Sequence, residues 1–303
     1  MGDGPGRTIG LVVHPRREVR DSVEVIARFA RRHGGTVVAR EVDADRVGPG
    51  VTIVGDREFA ERADAVISLG GDGTMLGAMR LVAGRSTPVL GVNHGNLGFL
   101  VEVAPGDLEP ALDRLRAGDY TMEPRSCLQV DLDGADAGVA FNDVAVAAAE
   151  SLTPVVIDLV VNNSPRPAYF RCDALVACTP TGSTAYNYAA GGPIISPSHP
   201  CMALTPVAPM SGVSHAMVFG DETIQLHNPA ETPHVRFSID GQPPRELAAH
   251  ATLTLRLSPD AVRVIRLDPT AHGERSAVKL TMLDLPLRPD QLRELFPQQH
   301  GAG

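Results

Sequence analysis

Lysine is almost missing from this chain. Among its 27 Lys and Arg residues only Lys279 is a lysine, and it lies in "SAVKLTML", away from any glycine-rich loop. A P-loop of the form G-x-x-x-x-G-K-[ST] is therefore absent, and so is the protein-kinase set with its strand lysine and His-Arg-Asp loop. The dinucleotide fingerprint G-x-G-x-x-G fails as well, because Gly71 and Gly73 are followed by Leu76 where the third glycine belongs. Positive charge is scarce overall: the net charge is −9, which predicts no basic surface for nucleic acid. The apolar runs fall well short of the roughly 18 residues of a membrane helix. "MGDGPGRTIG" has no apolar core flanked by positive charge, so no signal peptide is expected. Cys127, Cys172, Cys178 and Cys201 form no Cys-x-x-Cys pair and have no zinc-like His spacing. They are expected to be small buried residues in a chain of the reducing cytoplasm.

What is present fits a globular protein: 303 residues, 43% apolar and 21% charged. The first part alternates strand-like and helix-like segments. "RTIGLVVHP", "TVVAREV", "ADAVISLGG" and "TPVLGVN" read as buried strands. Between and after them, "REVRDSVEVIARFARRHGG", "TMLGAMRLVAG" and "PGDLEPALDRLRAGD" read as helices, the first ending at Gly34. This alternation predicts an α/β domain over 1–125 with a mainly parallel sheet, whose ligands sit at the carboxyl ends of strands. From about residue 126 to 268 the texture changes to β-rich segments separated by turns such as Asp133-Gly134 and Asp240-Gly241. An all-β domain is expected there, with a helical interruption near 184–190. In the tail, 269–303, "RPDQLRELF" reads as a short amphipathic helix.

The chemistry is concentrated in four stretches. "GGDGT" (70–74) stands where a buried strand becomes a helix starting near Thr74. Its glycines let backbone N–H groups converge on an oxygen-rich ligand beside a helix dipole. Asp72 would repel phosphates unless a divalent metal or an acidic proton lies beside it. It therefore reads as the acceptor of a proton from an attacking hydroxyl, or as a metal ligand, rather than as a plain Asp-Gly turn. "TPTGSTAY" (179–186) exposes hydroxyl and N–H groups, and Tyr186 offers a flat face. "HGNLGFL" (94–100) permits close backbone approach, and "FND" (141–143) pairs an amide with a carboxylate suited to ribose hydroxyls.

Together with "RCDALVACTPTGSTAYNYAAGGPI" and "SIDGQ", these stretches, in this order, resemble the NAD kinase family over most of 66–242. The resemblance implies an NAD kinase-like two-domain fold, a site between the domains, a tail packed back on the first domain, and a homodimer or homotetramer. It implies an ATP- and Mg²⁺-dependent transfer to the 2′-hydroxyl of the adenosine ribose of NAD, giving NADP. Asp72 matches the residue that activates that hydroxyl, and Gly70, Gly71, Gly73 and Thr74 match the phosphate contacts. Asn142 and Asp143 match the family's Asn-Glu substrate pair. Arg171 and Asp173 match a substrate contact and a residue near the nicotinamide amide. Phe99 falls where the adenine is flanked. Thr181, Thr184, Ala185, Tyr186, Ala189 and Gln242 fall on further substrate contacts. This chain departs from the family pattern at Asp143, Cys178, Ala189 and 208–217. Those departures leave two alternatives: a same-fold kinase with another nucleoside or adenosine-like acceptor, and a non-catalytic dinucleotide sensor. Retention of Asp72 and all three glycines speaks against the sensor.

Overall fold

The computed structural model describes residues 8–95, 98–150, 152–232 and 234–282. The expected "RPDQLRELF" helix lies outside them. The chain forms two compact units. One comprises the described residues up to Ala78, Thr87–Glu123 and those from Val264 on; the other comprises Met79–Ser86 and Pro124–Arg263.

In the first unit the strands are β1 (Thr8–Val13), β2 (Thr36–Arg40), β3 (Thr52–Val54), β4 (Ala65–Gly70) and β5 (Val89–Asn93). Their helices are α1 (Arg20–Arg32), α2 (Ala44–Val47), α3 (Asp56–Arg62), α4 (Asp72–Leu81, its last residues counting with the other unit) and α5 (Leu108–Ala117). The strands pair in the order β3-β2-β1-β4-β5, all parallel. β1, β4 and β5 are near-continuous buried apolar runs, as strands covered by helices on both faces are, while the short edge strand β3 is largely exposed. On one face α1 supplies Val23, Ile26 and Phe29, with Val19 just before it, and α5 supplies Leu108, Leu112 and Leu115, to a core with Ile9, Leu11, Ile67 and Leu90. On α3, Phe59 is fully buried. It packs so closely on β1 that a Cβ at Gly10 would stand 2.7 Å from its ring. Burying such a ring contributes roughly 1.5–3 kcal/mol. Helix α1 stops at Arg32, and Gly34 takes φ +71, the left-handed turn that glycine permits without strain.

The strand order reverses between β1 and β4. A parallel sheet opens a crevice at such a reversal, outside the carboxyl ends of the two strands. The loops that leave β1 and β4 are the β1–α1 loop and the "GGDGT" turn.

The second unit is antiparallel. Its strands are β6 (Thr121–Leu132), β7 (Ala135–Ala140), β8 (Asp143–Ala148), β9 (Val155–Val161), β10 (Ala168–Cys172), β11 (Ala174–Cys178), β12 (Met202–Val207), β13 (Ser211–Gly212), β14 (Met217–Phe219), β15 (Ile224–His227), β16 (Val235–Ile239), β17 (Arg245–Leu247) and β18 (Thr252–Arg266). One layer runs β13-β10-β9-β15-β18, with β6 on β18 and β7 on β6; the other runs β14-β12-β11-β8-β16-β17. Ile157, Phe170, Leu226 and Leu253 from the first layer meet Val146, Leu175, Leu204 and Phe237 from the second in one core. Three cysteines, Cys127, Cys172 and Cys178, are buried, and Cys201 is partly exposed.

The α/β-plus-all-β architecture expected from the sequence is the one observed. Its details differ in four places. Helix α4 begins at Asp72 rather than near Thr74, because the Gly71 carbonyl already accepts the N–H groups of Thr74 and Met75. The 184–190 interruption is two short pieces, a 3-10 turn over Thr181–Thr184 and α6 (Tyr186–Ala189). "ATLTLRLS" and "AVRVIRL" are one strand, β18, which passes Pro259 on an exposed stretch and absorbs the irregularity at Asp260 (φ +52). After it comes α7 (Pro269–Met282), which periodicity did not disclose.

Candidate functional site

In the first unit, β4 runs straight into α4 through Gly70 and Gly71. The close approach needs glycine at 70, where a Cβ would stand 2.2 Å from Thr74 Oγ1. Nothing lies within 4 Å of the place a Cβ would take on Gly71 or Gly73, and neither has a positive φ. These two glycines thus face open space at the start of a helix, where N–H groups have no partner within the helix. Thr74 is 9% exposed, and its Oγ1 is buried without a hydrogen-bond partner among the described residues.

Asp72 opens the helix. Its Oδ2 accepts the Phe99 N–H at 2.9 Å and its Oδ1 accepts the Leu100 N–H at 3.0 Å. These two N–H bonds, one to each oxygen, orient the carboxylate. The loop that supplies these donors is itself fastened. Buried Arg266 donates to the Leu100 carbonyl at 2.9 Å and pairs with Glu102 at 3.3 Å and Glu123 at 2.6 Å. Backbone bonds from His94 to the Gly70 carbonyl and from His14 to the Leu69 carbonyl, both 2.9 Å, continue the sheet past the ends of β1, β4 and β5. The Phe99 side chain is half-buried.

In the second unit, Asn142 and Asp143 occupy the step from β7 to β8. The "TPTG" turn is packed on this step. Thr179 donates its N–H to the Asn142 carbonyl at 2.9 Å and its hydroxyl to the Phe141 carbonyl. A Cβ on Gly182 would stand 2.0 Å from the Asn142 carbonyl oxygen. Thr181 follows, with buried Arg125 reaching toward its hydroxyl. Thr184 and Ala185 are half-buried, and Tyr186 and Ala189 are exposed on α6. Fully buried Asn187 ties this turn down: its Nδ2 donates to the carbonyls of Ser183 (3.2 Å) and Pro193 (2.9 Å), and its Oδ1 accepts from Thr205 at 2.7 Å.

Asp143 is 7% exposed, and burial, reinforced by the Asp240 charge, pushes its carboxyl up to about 6. The Asp240 side chain is completely buried. One Asp240 oxygen accepts the N–H groups of Asn142 (2.7 Å) and Asp143 (3.1 Å), and the other accepts Phe141 N–H (3.0 Å) and Arg80 Nη1 (2.7 Å). The sequence motif "SIDGQ" does not by itself disclose a part for Asp240 or Arg80. Asp240 is a positive-φ residue (φ +48) before a glycine, which looks like turn chemistry alone, and Arg80 sits 160 residues away. Gln242, two residues on, is exposed. Arg171 and Asp173 do not join the 141–143 and 179–182 cluster. Both are exposed on β10 and its end, and Arg171 lines a groove of about 660 Å³ with Asp158, Tyr169 and Ser211.

Known proteins resemble the chain along most of its length. Residues 9–120 match the ATP-NAD kinase N-terminal domain and residues 141–267 the ATP-NAD kinase C-terminal domain. The chain belongs to the NAD kinase family. An NAD kinase of Heliobacterium modesticaldum is 37% identical over 229 residues, 74% of this chain and 79% of the relative. Among solved structures, yeast NADH kinase complexed with NADH superposes with a TM-score of 0.81 at 20% identity, covering 94% of this chain and 90% of that one. An NAD kinase from Archaeoglobus fulgidus in complex with ATP superposes at 0.67 with 21% identity, covering 90% and 98%. At these identities the two structures speak for the fold.

Proposed function

We propose that this NAD kinase family member transfers the γ-phosphoryl group of ATP to the 2′-hydroxyl of the adenosine ribose of NAD. The observation that carries the reading is the Asp72 carboxylate, held at the start of a helix by two backbone N–H groups beside glycines that face open space. In this reading the 2′-oxygen attacks the γ-phosphorus and gives its proton to Asp72, and the bond to the β-phosphate oxygen breaks to release ADP. Such transfer is mainly positioning and charge stabilisation. Gly70, Gly71 and Gly73 serve the phosphates through backbone N–H groups, and the unpartnered Thr74 hydroxyl has a ligand oxygen to meet. Asn142 and Asp143 hold ribose hydroxyls, with Thr181, Thr184, Ala185, Tyr186, Ala189, Gln242 and Phe99 around the substrate, and Arg171 and Asp173 toward its nicotinamide end.

Magnesium bound with substrate phosphates needs one or two protein carboxylates rather than a cage. In this reading the ion arrives with ATP, and Asp72 is the carboxylate that would meet it. When bound, the ion offsets phosphate charge. The reading includes a cytoplasmic homodimer or homotetramer with no nucleic-acid or membrane partner; among the described residues no helix is long and apolar enough to cross a membrane. The test is incubation of the purified protein with ATP, Mg²⁺ and NAD, with NADP read by a coupled dehydrogenase. NADP formation is expected. Turnover of another nucleoside with none of NAD would transfer the assignment to that acceptor.

A further inference from the structure

Two residues outside the substrate-contacting set converge on it. The Asp240 side chain is fully buried, and four donors converge on its carboxylate: three consecutive backbone N–H groups, from Phe141, Asn142 and Asp143, and the guanidinium of Arg80. The return bond, Asp240 N–H to the Asp143 carbonyl at 2.8 Å, closes the ring. Three successive N–H groups pointing at one carboxylate fix three consecutive residues of backbone, and with them the directions in which the Asn142 and Asp143 side chains leave it.

We propose that Arg80 and Asp240 form a positioning clamp that presents the Asn142–Asp143 pair to the acceptor ribose. The proposal rests on the function argued above. Asp240 has two effects there. As a hydrogen-bond acceptor it orients the pair; as a charge beneath Asp143 it opposes that side chain's ionisation, adding to the burial that pushes Asp143 up to about 6. Arg80, at 2.7 Å, offsets part of the Asp240 charge. Among the described residues Cys178, the ladder partner of Asp143 on β11, also faces it, and Cys127 lies near Asp240; burial pushes both thiols up to about 12, so they stay neutral across the range that matters.

This arrangement gives the clamp a signature that simple structural support lacks. An ionised Asp143 accepts hydrogen bonds from ribose hydroxyls and a protonated one does so less well, so NAD affinity should fall as pH drops through about 6. Asp240→Asn removes the like charge and should move this acid limb to lower pH. Arg80→Gln leaves the Asp240 charge less compensated and should move the limb to higher pH. Each displacement should be on the order of half a unit to one unit, and each variant should bind NAD roughly 10-fold more weakly at pH 8 through lost alignment.

The experiment is calorimetric NAD binding to wild type, Asp240→Asn and Arg80→Gln from pH 5 to 8.5, paired with a ¹³C-carboxyl NMR titration of Asp143 in the unliganded proteins. Opposite displacement of the two limbs, matched by the Asp143 titration, is the expected result. Limbs that stay in place or move in the same direction, with NAD bound normally by wild type, overturn the clamp. Wild type that binds no NAD at any pH overturns the functional reading instead, and the NMR titration still decides the charge coupling. If Asp240→Asn fails to fold, Arg80→Gln keeps the test open, because the Arg80 side chain is 22% exposed and borders solvent.

Discussion

Gly98 stands against Asp72 so closely that a Cβ on it would lie 2.1 Å from Asp72 Oδ1. No flexible side-chain end is available to give way, since that oxygen is fixed by the Leu100 N–H at 3.0 Å. Gly98→Ala should therefore turn the carboxylate away from its two donors. The expected outcome is a loss of turnover comparable to removing a general base, about 10²–10⁴-fold, with ATP and NAD still bound in calorimetry. Full activity in Gly98→Ala would show that the observed Asp72 orientation is not the working one.

Asp72→Asn is expected to lose phosphoryl transfer by a similar factor while keeping dinucleotide affinity. The structure adds a second expectation. An amide has one acceptor oxygen, so its NH₂ must face either Phe99 N–H or Leu100 N–H. The 98–100 loop should loosen, and amide hydrogen exchange at Phe99 or Leu100 should rise. Unchanged exchange alongside near-normal turnover would leave Asp72 with neither role.

Gly73→Ala and Gly70→Ala should separate folding from function. At Gly73 there is space and no positive φ, so alanine should leave Tm unchanged or slightly raised while obstructing the approach of phosphates and weakening ATP-dependent activity. At Gly70 the new methyl meets Thr74 Oγ1 at 2.2 Å, and Tm should fall with activity. Equal Tm losses in the two variants would remove the distinction.

Asp143 offers a stability test. Its carboxyl titrates at about 6 when folded against an ordinary 3.8. Folding therefore favours the protonated form, and the group's contribution, fully present at low pH, is lost as pH rises through about 6. Asp143→Asn should stabilise the fold at pH 8 by about 1–3 kcal/mol and by nearly nothing below pH 4, while weakening NAD binding. A melting-temperature difference independent of pH would contradict it. The companion change Asp143→Glu extends the carboxylate by roughly 1.5 Å; it should lower KM for NAD if NAD is the acceptor, and harm activity if the pocket serves another nucleoside.

How much of this was readable beforehand depends on range. β1, β4 and β5 were visible as short apolar runs buried on both faces, α1 and α5 because each buries one face with a helical period, and "GGDGT" because glycine and aspartate in that order carry a mechanism. The 41–62 stretch was not read: β3 is three residues long and α2 four, too short for a period to declare itself. Strand β12, "MALTPV", hid behind its proline. Asp240 and Arg80 were invisible for another reason. Their function is a meeting of a turn and a helix far apart in sequence, and no local pattern encodes that. Arg266 is similar: an arginine at the end of a β-strand reads as a surface charge, yet it is 2% exposed and fastens the loop that orients Asp72.

The sealed thiols make the chain its own stopwatch. Cys127, Cys172 and Cys178 sit in β6, β10 and β11, and burial pushes each up to about 12. An alkylating reagent at pH 8 finds almost no thiolate there until the strand leaves its sheet, whereas Cys201 is partly accessible from the start. Mass-resolved labelling would therefore time the opening of each strand separately. Cys178 lies directly across the ladder from Asp143, so an acceptor held by Asn142 and Asp143 should slow alkylation of Cys178 well before it slows Cys127, turning an internal sulfur into an occupancy gauge with no added probe.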